Sequence, residues 1–381
     1  MYKYFLNPFI LYIFIFLIVF ILYGFNLSYV QYRVNPKSIY FLLFTFILSI
    51  FFAFIVLNIK INRDVDLRDT GKNKIIFFVI VSMALNFLYQ GYVPFIYTLN
   101  GQYYDYFKFG IPSFQALFVP YLTVFGCVTF FNYLGTKSKK SLIISLLPLI
   151  YSLLIMMRGN IVLIMLIYVF IYLNYKGGIS FKKVISIMSL VIALLYIFGM
   201  VGNYRMISSG YGSDDAILRV GQATPAFYEL NIPSEFFWSY IYITTPFSNL
   251  QYQASIMTSN LEPFNAFKYH VMIDWLQKRT FDNPFQSQLI QDELNVSTMY
   301  GDVLQSSGYG GALIVFLWFS CVTILSIFLC NPRYRLVMIS ILSAISILCC
   351  FSNVITFSAY GMLPFYLVIF SWVKIGNFRF F

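Results

Sequence analysis

The sequence predicts an all-α fold: a polytopic integral membrane helical bundle of about ten transmembrane helices, interrupted by one long outward loop with interfacial helices. Three observations predict it. The 381 residues are 60% hydrophobic and 10% charged, with a mean hydropathy of +0.77, whereas soluble domains carry about 25% charged residues. The apolar residues fall in continuous runs of about 17–22, enough to cross a hydrocarbon core of about 30 Å, not in the alternating ten-residue segments of a barrel. Finally, one long polar stretch, residues 203–307, holds ten of the fourteen acidic residues and the single histidine.

Seven spans precede that stretch and three follow it. The first, 5–24, is long for a signal peptide and lacks a small-residue cleavage site, so it reads as a retained span. Span two is 38–59; the charged loop 60–74 follows, then span three, 75–95, and span four, 114–134. Spans five and six, 141–157 and 161–175, form a hairpin about Arg158-Gly159-Asn160, and span seven is 184–201. Spans eight to ten are 311–330, 336–351 and 354–373. Three regions result: 1–202, 203–307 and 308–381.

Basic residues set the orientation. With the N-terminus inside, sixteen of the 25 basic residues and only three acidic ones lie on the inner side, and the long loop lies outside. The net charge of +11 is therefore a topology signal and an attraction to anionic lipid, and it calls for no nucleic-acid partner. The five cysteines fall in or at the edge of apolar runs without metal-ligand spacing, as small buried apolar residues do. No P-loop, strand-linked GxGxxG, HExxH or paired CxxC is present, so no cofactor is expected. Asp64-Val65-Asp66 has the spacing of an acidic metal motif but no domain around it.

Within the loop, Pro263 can open a helix. Phe264, Phe267, Val271, Met272 and Trp275 then recur at helical spacing, with His270, Asp274 and Lys278 on the other side. This predicts an amphipathic helix on the outer membrane surface. The aromatic segment 236–243 is expected to lie there too.

A few residues stand out chemically. Arg158 is a lone charge at an apolar hairpin tip, suited either to gripping a diphosphate or to snorkelling to headgroups. Arg205 leaves span seven at the same surface and could share that anion; Arg219 follows it. His270 is either a general base, with Asp274 one turn on to orient it, or a polar-face residue of an interfacial helix. Tyr103 and Asp105, in the aromatic loop NGQYYDYFKFG, are candidates for glycan contacts or members of an interfacial aromatic belt.

The basic hairpin tip, the long outward loop and the segment STMYGDVLQSSGYGGALIVFLWFS entering span eight together resemble the O-antigen polymerases, also called oligosaccharide repeat-unit polymerases. The residues carrying the resemblance are Thr298, Tyr300, Gly301, Asp302, Gly308 and Gly311, with Tyr242 and Pro246 in YIYITTPFSNLQ. Gln305 stands where the family's pattern has an acidic residue. The resemblance implies a glycosyltransferase at the periplasmic face of a bacterial inner membrane, multi-pass with both termini cytoplasmic. It would join undecaprenyl-diphosphate-linked oligosaccharides into O-antigen or a related surface polysaccharide, with a chain-length regulator as a partner. Arg158, Arg205 and Arg219 would hold the diphosphate, His270 or Asp302 would be the catalytic base, and Tyr103, Asp105, Tyr242 and Tyr300 would meet glycan. An O-antigen ligase and a lipid-linked oligosaccharide flippase are the rival classes.

Overall fold

The computed structural model describes residues 6–61, 72–100, 102, 104–105, 108–178, 181–207, 216–257, 262–281, 288–375 and 378–379. These residues form helices and their connections, apart from a two-residue antiparallel pairing of Lys374–Ile375 with Phe378–Arg379. The helices are α1 (Pro8–Gly24), α2 (Pro36–Leu57), α3 (Lys72–Gln90), α4 (Pro94–Leu99), α5 (Phe114–Thr136), α6 (Lys139–Ser145), α7 (Leu147–Leu154), α8 (Arg158–Lys176) and α9 (Phe181–Met206). They continue as α10 (Ala216–Val220), α11 (Pro225–Glu229), α12 (Glu235–Ser255), α13 (Asp274–Thr280), α14 (Gly301–Leu329), α15 (Arg335–Leu348) and α16 (Ser358–Trp372). Among the described residues, five helices are long and apolar enough to cross a membrane: α2, α3, α5, α8 and α14. α1 and α16 are shorter apolar helices.

The starts of α1 and α2 follow from local chemistry. Asn7 and Asn35 each cap a helix that has proline in its first turn, their side-chain oxygens accepting from Phe9 N and Lys37 N. The outward surfaces of these helices stay apolar: Phe14 and Ile21 on α1, Tyr40, Ile47 and Phe54 on α2, Phe77 and Leu88 on α3 are all exposed. A band of large apolar side chains of this extent belongs against hydrocarbon.

The centre of the bundle is α15. Its residues from Leu336 to Ser346 are all buried, and it packs against α1, α8 and α16. Its serines tie in the neighbours: Asn174 donates to Ser340 Oγ (3.0 Å) and Ser343 Oγ donates to Leu6 O (2.9 Å). Cys127, Cys330, Cys349 and Cys350 are buried as expected, but Cys321 is exposed on α14.

Two sequence expectations need correction. The fifth predicted span is two short helices, α6 and α7, bent at Leu146 ahead of Pro148. Proline supplies no N–H and its ring opposes the preceding turn. A carbonyl at the bend, Ser145 O, accepts instead from the Tyr168 hydroxyl of α8. The bend fits because Gly126 of α5 lies under it: a Cβ there would collide with the Pro148 ring.

The second correction concerns 203–307. The segment 236–243, expected on the surface, is the first part of α12, a helix of 21 residues of which fourteen are buried. α12 packs on α9, α14 and α1. Its buried residues include Thr244, Thr245, Ser248, Asn249, Gln251 and Gln253, which hydropathy assigns to solvent. Buried polar groups persist when paired, and Ser248, Asn249 and the Gln251 carbonyl oxygen each find a partner. Ser248 Oγ donates to Val30 O (2.7 Å) and accepts from Tyr32 N (2.7 Å), while Gln251 Oε1 accepts from Asn35 N (2.8 Å). Asn249 donates to Leu294 O (2.8 Å) and Val296 O (2.7 Å) and accepts from Ile290 N (3.1 Å). α12 thus fastens the α1–α2 connection and the segment leading into α14.

Candidate functional site

The site forms where the chain before α13 folds back onto the start of α14. From Phe267 to Val271 it makes one wide π-type turn, then extends through Met272 and Ile273 before α13 begins at Asp274. The continuous amphipathic helix expected from Pro263 is therefore broken, and its polar face does not persist. His270 turns inward and is buried, 7% exposed. Its Nε2 shares a 2.6 Å hydrogen bond with Ser306 Oγ, and its carbonyl accepts from Asn353 Nδ2 (2.7 Å).

Ser306 lies four residues after Asp302, so the two share a face of α14. Asp302 is exposed in the first turn of that helix. Gln253 of α12 donates toward its Oδ1 (3.4 Å), and Ser297 Oγ donates to Gln253 Oε1 (2.8 Å). Burial lowers the His270 pKa from 6.5 to about 4, against the opposing pull of the nearby Asp302 carboxylate. The imidazole is therefore neutral at physiological pH, beside an exposed carboxylate.

Immediately after Ser307 the helix breaks. Gly308 sits at φ 63° and ψ −168°, a region essentially reserved for glycine. The break separates the short segment bearing Asp302 and Ser306 from the apolar remainder of α14.

Asp274 does not orient His270, as its spacing suggested. Its Oδ1 accepts from Ser358 N (2.8 Å) and the Ser358 hydroxyl, and from Trp275 N (2.7 Å), joining the starts of α13 and α16. The i, i+4 relation holds only on an unbroken helix, and the chain turns at Met272.

The three candidate arginines lie on three helices, α8, α9 and α10. Arg158 is exposed in the first turn of α8, and a Cβ on the adjacent Gly159 would meet the Tyr360 hydroxyl of α16. Arg219 closes α10, which packs with Leu27, Val30, Met206 and Phe237 in a different apolar cluster. Arg205 lies in the last turn of α9, beside Met206 of that same cluster; its side chain is outside the described residues.

Of the glycan candidates, Tyr103 is outside the described residues, as is the Asp64–Asp66 motif. Asp105 is partly buried and 3.9 Å from Lys108 Nζ. Tyr242 is 41% exposed, its ring edge-on to Phe198 of α9. Tyr300 is fully buried, its hydroxyl 2.6 Å from that of Tyr12, which is in turn 2.9 Å from Thr45 Oγ1. It is a core residue with no surface for a sugar.

Sequence reasoning missed Ser306, Gln253, Ser297 and Asn353. Ser306 was detectable, being one turn from Asp302; the others reach the site through long-range contacts with no local signal. No family model, curated protein or solved structure matches this chain.

Proposed function

We propose that the chain is a membrane glycosyltransferase that polymerises undecaprenyl-diphosphate-linked oligosaccharide repeat units at the periplasmic face of a bacterial inner membrane. The spans number about ten, the termini are cytoplasmic, and the product is O-antigen or a related surface polysaccharide. The observation that carries the reading is His270, buried and bonded to Ser306, one helical turn from the exposed Asp302 at the start of α14.

The chemistry needs a base and an anion site. The acceptor hydroxyl attacks the anomeric carbon of the donor, the bond from that carbon to the diphosphate oxygen breaks, and the diphosphate leaves with the electron pair. Asp302, the exposed member, takes the hydroxyl proton. His270, held by Ser306, keeps the turn against α14 and is a positioning residue. Arg158 stabilises the departing diphosphate through its planar fork. Arg205 and Arg219 are not assigned this role: Arg219 lies in the last turn of α10, a helix packed in the cluster on Leu27 and Val30, and Arg205 precedes Met206 of that cluster in the chain.

The test is surface-polysaccharide chain length with expression checked. Asp302→Asn and Arg158→Ala should each leave single repeat units, and Arg158→Lys should recover only part of the polymer. Wild-type chain lengths in Asp302→Asn would remove the base. A reporter active only in the cytoplasm should be silent when fused after Glu262 and active after Lys140.

The break at Gly308 favours a second reading, a repeat-unit flippase, because interrupted membrane helices often build transport sites. Repeat units that cross the membrane normally in the Asp302→Asn strain, yet remain unpolymerised, would exclude it.

A further inference from the structure

The turn that carries His270 has a second side. Val271 and Phe267 line an open groove of about 360 Å³. Trp275 and Leu276 of α13, Trp318 of α14, Ile355 just ahead of α16 and Phe365 within α16 complete it. Trp318 stands ten residues past Gly308, about 15 Å along the helix at 1.5 Å per residue. The groove therefore runs from the polar turn down the seam between α14 and α16.

A cation stands against one wall residue of the groove, Trp275. The exposed Arg279 stacks over the Trp275 ring at 4.8 Å and donates to Ser113 Oγ at the start of α5. The guanidinium has five donors, so one hydrogen bond leaves capacity for an anion. The Trp275 indole N–H is shielded from solvent and has no acceptor among the described residues. An open apolar groove whose wall tryptophan carries an arginine and an unsatisfied donor is complementary to an amphiphile with an anionic head. Asp274 fixes α13 to Ser358, so the groove wall and the cation are held as one unit.

We propose that this groove binds the polyprenyl chain of the lipid-diphosphate donor, with Arg279 gripping the diphosphate from the α13 side. The assignment rests on the polymerase reading above. It adds a binding residue, Arg279, and places the tail on the side of the turn opposite the His270–Ser306 bond.

The experiment uses the full-length protein in phosphatidylcholine nanodiscs. A photo-crosslinking benzoylphenylalanine replaces Leu276 in the groove or, as a control, Ile47 on the exposed face of α2. The probe is radiolabelled undecaprenyl diphosphate. Label should be captured at 276 in excess over 47, saturably, and unlabelled undecaprenyl diphosphate should compete while phosphatidylglycerol does not. Arg279→Glu should weaken capture by about tenfold or more, the loss of a charge-assisted contact. Met362→Trp, which fills the groove, should abolish it while Arg279 remains. Equal capture at 276 and 47, or equal competition by phosphatidylglycerol, would identify ordinary bilayer lipid and overturn the proposal. If capture at 276 fails while Asp302→Asn still blocks polymerisation, the groove is wrong and the polymerase reading stands. If the protein captures no prenyl diphosphate at any position, both fall.

Discussion

His270 and Ser306 join a surface turn to the first stretch of a membrane helix through one 2.6 Å hydrogen bond. The bond lies where both partners are shielded from water. Removing one partner of such a pair leaves the other buried and unsatisfied. Ser306→Ala should therefore lower stability by about 1–3 kcal/mol, read as a lower melting temperature in detergent. An unchanged melting temperature would mean the turn is held by Asn353 and the apolar contacts of Val271.

The same histidine makes stability depend on pH. Above pH 6.5 it is neutral in both folded and unfolded chains. Between 6.5 and about 4 the unfolded chain binds a proton that the folded chain refuses, so stability falls as pH falls. Below about 4 both bind it and the slope ends. His270→Gln should flatten this window in thermal melts from pH 7 to 4; an identical slope in the variant would assign it to other groups.

Gly308 offers a test of the helix break. Alanine at φ 63°, ψ −168° costs about 1–3 kcal/mol if the backbone stays as it is. Gly308→Ala should lower the melting temperature and shorten the surface polysaccharide, because the segment bearing Asp302 must shift to relieve the strain. Normal stability with normal polymer would show that the break has no bearing on either.

The Tyr12–Tyr300 pair separates a core role from a glycan role. Each single Phe substitution should destabilise by about 1 kcal/mol or more, by leaving one buried hydroxyl without this partner. The double substitution should cost less than the sum of the two. Polymer length in Tyr300→Phe should equal wild type once expression is matched. A specific loss of polymer at normal stability would return Tyr300 to the substrate.

Much of the bundle is legible in the sequence because length and apolar continuity decide it. α2, α5 and α8 overlap spans read from hydropathy. Asp302 and His270 stand out because charge and imidazole are rare in this composition. What escaped has physical causes. α12 hides its burial behind Ser248, Asn249 and Gln251, whose partners lie about forty to over two hundred residues away. The helix expected from Pro263 stops at Met272 and Ile273, two apolar residues in extended backbone with no turn signature. Asp274 was assigned by spacing to a helix that this extended pair interrupts.

α12 also has a consequence for how the protein is made. A segment with so many buried polar side chains gains little by partitioning into lipid alone. Its long-range hydrogen bonds include those to the 26–35 connection, already synthesised, and to 290–297, synthesised after it. The bonds that hold α12 to Leu294 and Val296 therefore cannot form until the chain has been made through Val296. Loss of the Asn249 amide would remove its bonds to Ile290, Leu294 and Val296 together, freeing the segment that leads into α14 from α12.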